Sequence, residues 1–99
     1  MMTNRYPTLR ELAQAYFHQD YDLEADTPLE VVALFRRAVG PEKAGELRDE
    51  IASLLFTVAD DGDVAQVWLE QAGAFYDPRL DGVTPREWLR QVAAELGAG

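Results

Sequence analysis

Apolar residues recur at helical spacing along almost the whole chain, and start and stop signals divide that pattern into about five helices. Leu9, Leu12, Ala13, Tyr16 and Phe17 form the first stripe, over about residues 8–18, with Thr8 and Glu11 spaced as a capping box. The second start is clearer: Thr27 is placed as N-cap, Pro28 occupies the first helical position, where no N–H is needed, and Glu30 closes the box. Leu29, Val32, Phe35 and Val39 follow as one stripe, and Gly40-Pro41 stops it, because glycine accepts a left-handed cap and proline cannot continue the ladder. Pro41 then opens a third helix with Ala44, Leu47, Ile51, Leu54, Leu55 and Val58 inward, its first turn weakened by Gly45. Asp61 or Asp63 caps a fourth, which turns Val64, Val67, Trp68, Leu69 and Ala72 inward before Gly73. Thr84, Pro85 and Glu87 repeat the box and begin a fifth, with Trp88, Leu89, Val92, Ala93 and Leu96 inward and Gly97 at its end. The β-looking windows Leu54 to Val58 and Gly73 to Tyr76 are too short for a sheet and adjoin strong helical patterns. The expected fold is all-α, a compact bundle of about five short helices.

Length and composition fit one packed domain over residues 1–99, with its core over about 6–96. The chain has 99 residues, 47% of them hydrophobic, enough for a core held by packing. Cysteine is absent, which excludes disulfides, cysteine metal sites and thiol nucleophiles. The opening residues carry Arg5, Arg10 and Glu11 without the apolar stretch of a signal peptide, and no apolar run approaches the roughly 18 residues of a membrane span, so a cytoplasmic location is expected.

Charge changes the picture most. Eighteen acids face nine Lys and Arg, a net charge of −9. A nucleic-acid or anionic membrane partner needs a basic footprint, and the bases here are scattered among acids. The charge favours encounter with something basic. Its distribution is uneven: Asp20, Asp22, Glu24 and Asp26 lie in the first connection, Asp60, Asp61 and Asp63 in the next, and Asp77 and Asp81 in the third, together half of the acids. Tyr16, Phe17, Tyr21, Phe75 and Tyr76 stand beside these connections. Each ring is either an anchor of a helix end or, for Tyr21 and Tyr76 above all, a ring presented to a partner among carboxylates.

Enzyme and metal readings fare worse. Asp20, Asp22 and Glu24 match the first three ligand positions of an EF-hand loop, but Ala25 stands where the loop needs glycine and Val31 where it needs glutamate. Dense acids could raise one another's pKa for acid–base work, yet nothing in the sequence fixes a pocket for them. His18, the only histidine, has neither a nearby serine nor a cysteine to activate, Ser53 lying inside the third helix. Placed in a last helical turn, it suits the C-terminal dipole better than catalysis. No catalytic residue, metal or cofactor is expected.

The run Tyr16-Phe17-His18-Gln19-Asp20-Tyr21-Asp22, the Glu50-Ile51 and Leu54-Leu55 pairs, and Tyr76-Asp77-Pro78 followed by Gly82, Trp88 and Leu89 resemble the CdiI-type immunity proteins of bacterial contact-dependent growth inhibition and related polymorphic toxin systems. The resemblance spans about residues 6–96, with the Tyr16 to Asp20 segment its most specific part. It implies a small helical, non-enzymatic protein that binds the toxic C-terminal domain of a delivered effector, often a nuclease, in the cytoplasm and without a cofactor. Under that reading Tyr16, Phe17, His18, Gln19, Asp20, Trp88 and Leu89 are framework positions. The toxin-contact candidates are Asp20, Tyr21, Asp22, Glu24, Asp26, Asp60, Asp61, Asp63, Tyr76, Asp77 and Asp81. A helical adaptor or regulator that docks an unrelated basic protein is the alternative.

Overall fold

Thr27 is extended (φ −132°, ψ 154°), and its hydroxyl accepts the Glu30 N–H at 3.2 Å while the Glu30 carboxylate accepts the Asp26 N–H at 3.1 Å. This local box starts the longest element, α2 (Pro28–Thr57), in a computed structural model that describes residues 6–18, 25–58 and 60–97. Before it lies α1 (Pro7–Tyr16); after it come α3 (Asp61–Gln66), a π-helical turn (Val67–Gln71), a 3-10 turn (Pro78–Asp81) and α4 (Pro85–Gly97). There are four α-helices where about five were expected. The difference lies at Gly40, whose φ of 87° and ψ of 172° are not helical and divide α2 by a kink into two helical arms, the second opening at Pro41.

Only glycine reaches that conformation at low cost, and Pro41 further biases the residue before it toward extended ψ. No atom lies within 4 Å of a Cβ added at Gly40, so a substitution there meets backbone strain alone. Gly40→Ala is expected to lower unfolding free energy by about 1–3 kcal/mol, read from urea unfolding, with the helix content of the folded state unchanged.

Local signals also place α4, where the Thr84 hydroxyl accepts the Glu87 N–H at 3.1 Å. They misplace two other starts. The Thr8–Glu11 box does not form: α1 begins at Pro7, one residue before Thr8, and the side chain of its N-cap Tyr6 does not cap the helix amides. The Glu50 carboxylate of α2 takes over, accepting the Thr8 N–H at 3.0 and 3.1 Å and the Leu9 N–H at 3.0 Å. Glu11 pairs with Lys43 instead, at 3.2 Å. In α3 the cap is Asp60, one residue ahead of Asp61 and three ahead of Asp63, the two expected caps, and its Oδ1 accepts the Gly62 N–H at 3.0 Å.

The kinked α2 packs chiefly against α4 and α1, and α3 closes on α4. Every inward stripe read from the sequence is buried or half-buried, with Leu9, Leu12, Val32, Phe35, Leu47, Leu54, Val64, Trp68, Leu89 and Val92 wholly removed from solvent. At the centre, Phe17 meets Trp68 and Trp88 edge-on at ring separations of 5.3 and 5.6 Å and Tyr76 at 6.0 Å. Trp68 donates its indole N–H to the Tyr76 carbonyl at 2.8 Å, which satisfies the polar edge of a buried ring. The π turn ends with the Ala72 N–H on the Val67 carbonyl at 2.8 Å, and Gly73 (φ 84°) reverses the chain after it. Among the described residues there is no strand.

Candidate functional site

Four of the six described acids in the three connections, Asp60, Asp61, Asp77 and Asp81, accept hydrogen bonds from their own chain. Asp60 is the α3 cap, exposed on its outer side. Asp61, half-buried, accepts the Arg86 N–H of α4 at 3.2 Å, so it serves a second helix start instead of its own. Arg86 completes this clasp from the other direction, its guanidinium donating to the Val58 and Leu55 carbonyls at the end of α2. Asp63 is exposed, as is Asp26, whose neighbours Ala25, Glu30, Ala33, Leu34 and Arg37 line an open groove with it. Gln19, Asp20, Tyr21, Asp22 and Glu24 lie outside the described residues.

In the third connection Asp77 accepts the Arg79 backbone N–H at 3.0 Å and its guanidinium through both carboxylate oxygens, at 3.0 and 2.9 Å. The side-chain hydrogen bond from Arg79 holds the Asp77 carboxyl below the usual aspartate range and keeps Arg79 more firmly protonated, outweighing the slight desolvation. A depressed carboxyl pKa stabilises the fold above the ordinary aspartate value, and that contribution disappears as pH falls through the lower, folded value. The pair is exposed, so its effect on stability is small. Carboxyl-detected NMR titration should find Asp77 titrating lower than an ordinary aspartate, and Arg79→Ala should return it to the normal range.

Of the two places the sequence leaves open for Tyr76, the structure shows the core anchor. It is 5% exposed, its ring stacks edge-on against Trp88 at 4.9 Å, and its hydroxyl donates to Asp81 Oδ2 at 2.9 Å. It is a core ring tied to a loop acid, not a ring presented to solvent. The alternation of the chain carries Phe75 outward instead, 64% exposed, with its N–H on the Phe17 carbonyl at 2.8 Å. Leu80 and Phe56 are also exposed, at 85% and 93%. Phe56 was legible in principle, because it falls off the inward set of Leu47, Ile51, Leu54, Leu55 and Val58.

Among the framework positions, Phe17, Trp88 and Leu89 are buried, and Tyr16 packs edge-on against Phe35 at 5.4 Å. His18 is half-buried but lies beyond the last residue of α1, so it is not in the final helical turn. Among the described residues no group of three His, Asp or Glu side chains is arranged to hold a metal ion, and no helix is long and apolar enough to cross a membrane.

The sequence pattern of the CdiI immunity protein family matches residues 5–96. The chain belongs to the CdiI immunity protein family. A solved chain shares its fold at a TM-score of 0.87 with 23% sequence identity, covering 93% of this chain and 98% of the other; it comes from the crystal structure of the CdiA-CT/CdiI complex from Y. kristensenii 33638. No curated protein sequence matches significantly. The family match spans the aromatic centre and all three acid-rich connections, so the features that distinguish this immunity-family chain lie within the matched domain.

Proposed function

We propose that this chain binds and neutralises the toxic C-terminal domain of a cognate contact-dependent growth inhibition toxin, in the cytoplasm and by contact alone. The family match over residues 5–96 carries the reading, and the matching fold of a chain from a CdiA-CT/CdiI complex supports it. A nuclease is the toxin class that suits this chain: a nuclease holds phosphates on a basic surface, and an acidic inhibitor can occupy that surface in their place. Of the acids in the connections, Asp26, Asp60 and Asp63 face solvent, and Asp20, Asp22 and Glu24 precede Asp26 in the sequence without an intervening base. Asp61 and Asp77 are half-buried and already accept hydrogen bonds within the chain, so they contribute field more than direct contact.

Co-expression with the toxin domain encoded in the neighbouring reading frame is the direct test. The two chains should co-purify, and cells producing both should grow. Replacing Asp20, Asp22, Glu24 and Asp26 by Asn or Ser should slow association and flatten its salt dependence, because complementary charge can lift on-rates toward the order of 10⁸ M⁻¹s⁻¹ at low salt. Association unchanged at every salt concentration would remove the first connection from the contact.

A further inference from the structure

The outer face of the second arm of α2 carries a regular series that the core does not use. Glu42, Glu46, Asp49, Ser53 and Phe56 follow one another at alternating four- and three-residue spacing, and Asp60 extends the series just past the helix end. At 3.6 residues per turn the five helical positions stay within a strip about 80° wide, on the side opposite Leu47, Ile51 and Leu54. All six residues are exposed.

An outward row of acids is by itself an ordinary solvated face, but two features set this one apart. Phe56 stands in the row with 93% of its surface in water, where the pattern calls for a polar residue. The bases flanking the row on the same arm are turned to other work. Lys43 pairs with Glu11 of α1 at 3.2 Å, and the Arg48 guanidinium lies over the end of α4, where a Cβ added at Gly97 would come within 3.6 Å of its Cζ. The strip therefore joins like charge to a bare aromatic ring on a rigid helix.

That chemistry selects the occupant. A second copy of this chain would bring Glu42, Glu46 and Asp49 against a molecule of net charge −9, and like charges facing each other across an interface are costly. Phosphate-bearing partners are repelled for the same reason. A basic protein surface with an apolar notch is complementary: its Lys and Arg face the carboxylates, and the notch takes the ring, in the way buried aromatics anchor interfaces. We propose that this strip of α2 is a contact face for the basic surface of the toxin domain, with Phe56 as its anchor and Glu42, Glu46 and Asp49 as its steering charges. The inference rests on the toxin-binding reading above and extends the contact from the connections to a helix face, Asp60 belonging to both.

Binding kinetics with the purified toxin domain test it. Phe56→Ala should raise Kd about 30-fold, mainly through faster dissociation, while helix content and Tm stay at wild-type values because the ring is almost fully exposed. The combined variant Glu42→Gln, Glu46→Gln, Asp49→Asn should slow association about tenfold at low salt and little at about 0.5 M salt, where screening is short-ranged. Wild-type kinetics in both variants would overturn the strip as a contact and leave toxin binding standing. Failure of the unmodified chain to bind the toxin domain would overturn both.

Discussion

Phe17→Ala is expected to lower unfolding free energy by about 3–5 kcal/mol, the cost typical of emptying a large aromatic site in a packed core. Phe17 is wholly buried and meets Trp68, Trp88 and Tyr76 at 5.3, 5.6 and 6.0 Å. Each such pair adds about 0.5–1.5 kcal/mol beyond area burial. The backbone role of residue 17 survives the substitution: its N–H still reaches the Ala13 carbonyl and its carbonyl still receives the Phe75 N–H. The loss is therefore one of side-chain packing. Against a total stability of about 5–15 kcal/mol for a domain of this size, it removes a large share, and Tm should fall by about 15–30 °C. Urea unfolding followed by fluorescence of Trp68 and Trp88 measures it directly. A loss below about 1 kcal/mol would mean that the aromatic centre relaxes to fill the space.

Glu50→Ala should cost about 2–3 kcal/mol, since it strips the start of α1 of its only side-chain acceptor among the described residues. Hydrogen bonds to a charged group contribute about 1.5–3 kcal/mol, and the carboxylate also faces the positive end of the helix dipole. Thr8 is 5% exposed, so water cannot easily replace the lost acceptor. Glu50→Gln keeps one oxygen in place and should lose about half as much. Equal stability of all three proteins in denaturant unfolding would show that the α1 amides find another partner.

How far the sequence reveals this fold depends on the range of the interaction. The boxes at Thr27–Glu30 and Thr84–Glu87, the break at Gly40-Pro41 and the inward stripes are all set by residues within a turn or two, and the spacing displays them. The start of α1 is not: Thr8 and Glu11 have the right spacing, but Glu50, 42 residues from Thr8, wins the amides and Lys43 draws Glu11 away. Asp61 has a helix-cap chemistry that the sequence does show, yet the helix it serves is α4. Gly40 ends the first arm of α2 as its spacing implies; the close succession of the second arm across the kink is what the spacing does not show. Tyr76 is the instructive case at the candidate site. Its neighbours in sequence are polar, but tertiary packing turns the ring into the aromatic centre and leaves only its hydroxyl among the acids. The family resemblance of the Tyr16 to Asp20 run and its companions is legible in the sequence itself, and the family match extends over the same span.

The three exchanged caps, Glu50 of α2 on α1, Asp61 of α3 on α4, and Arg86 of α4 on α2, mean that each of these helix ends takes a hydrogen-bonding partner from another helix. An isolated α1 peptide leaves its first amides to water, and α2 without α4 leaves its last carbonyls to water. The amide protons of Thr8, Leu9 and Arg86 should then exchange with solvent only as fast as the whole domain opens, not by fraying from each end. A toxin that binds this domain would meet a frame that moves as one unit, with variation of the outer charges leaving its closure untouched.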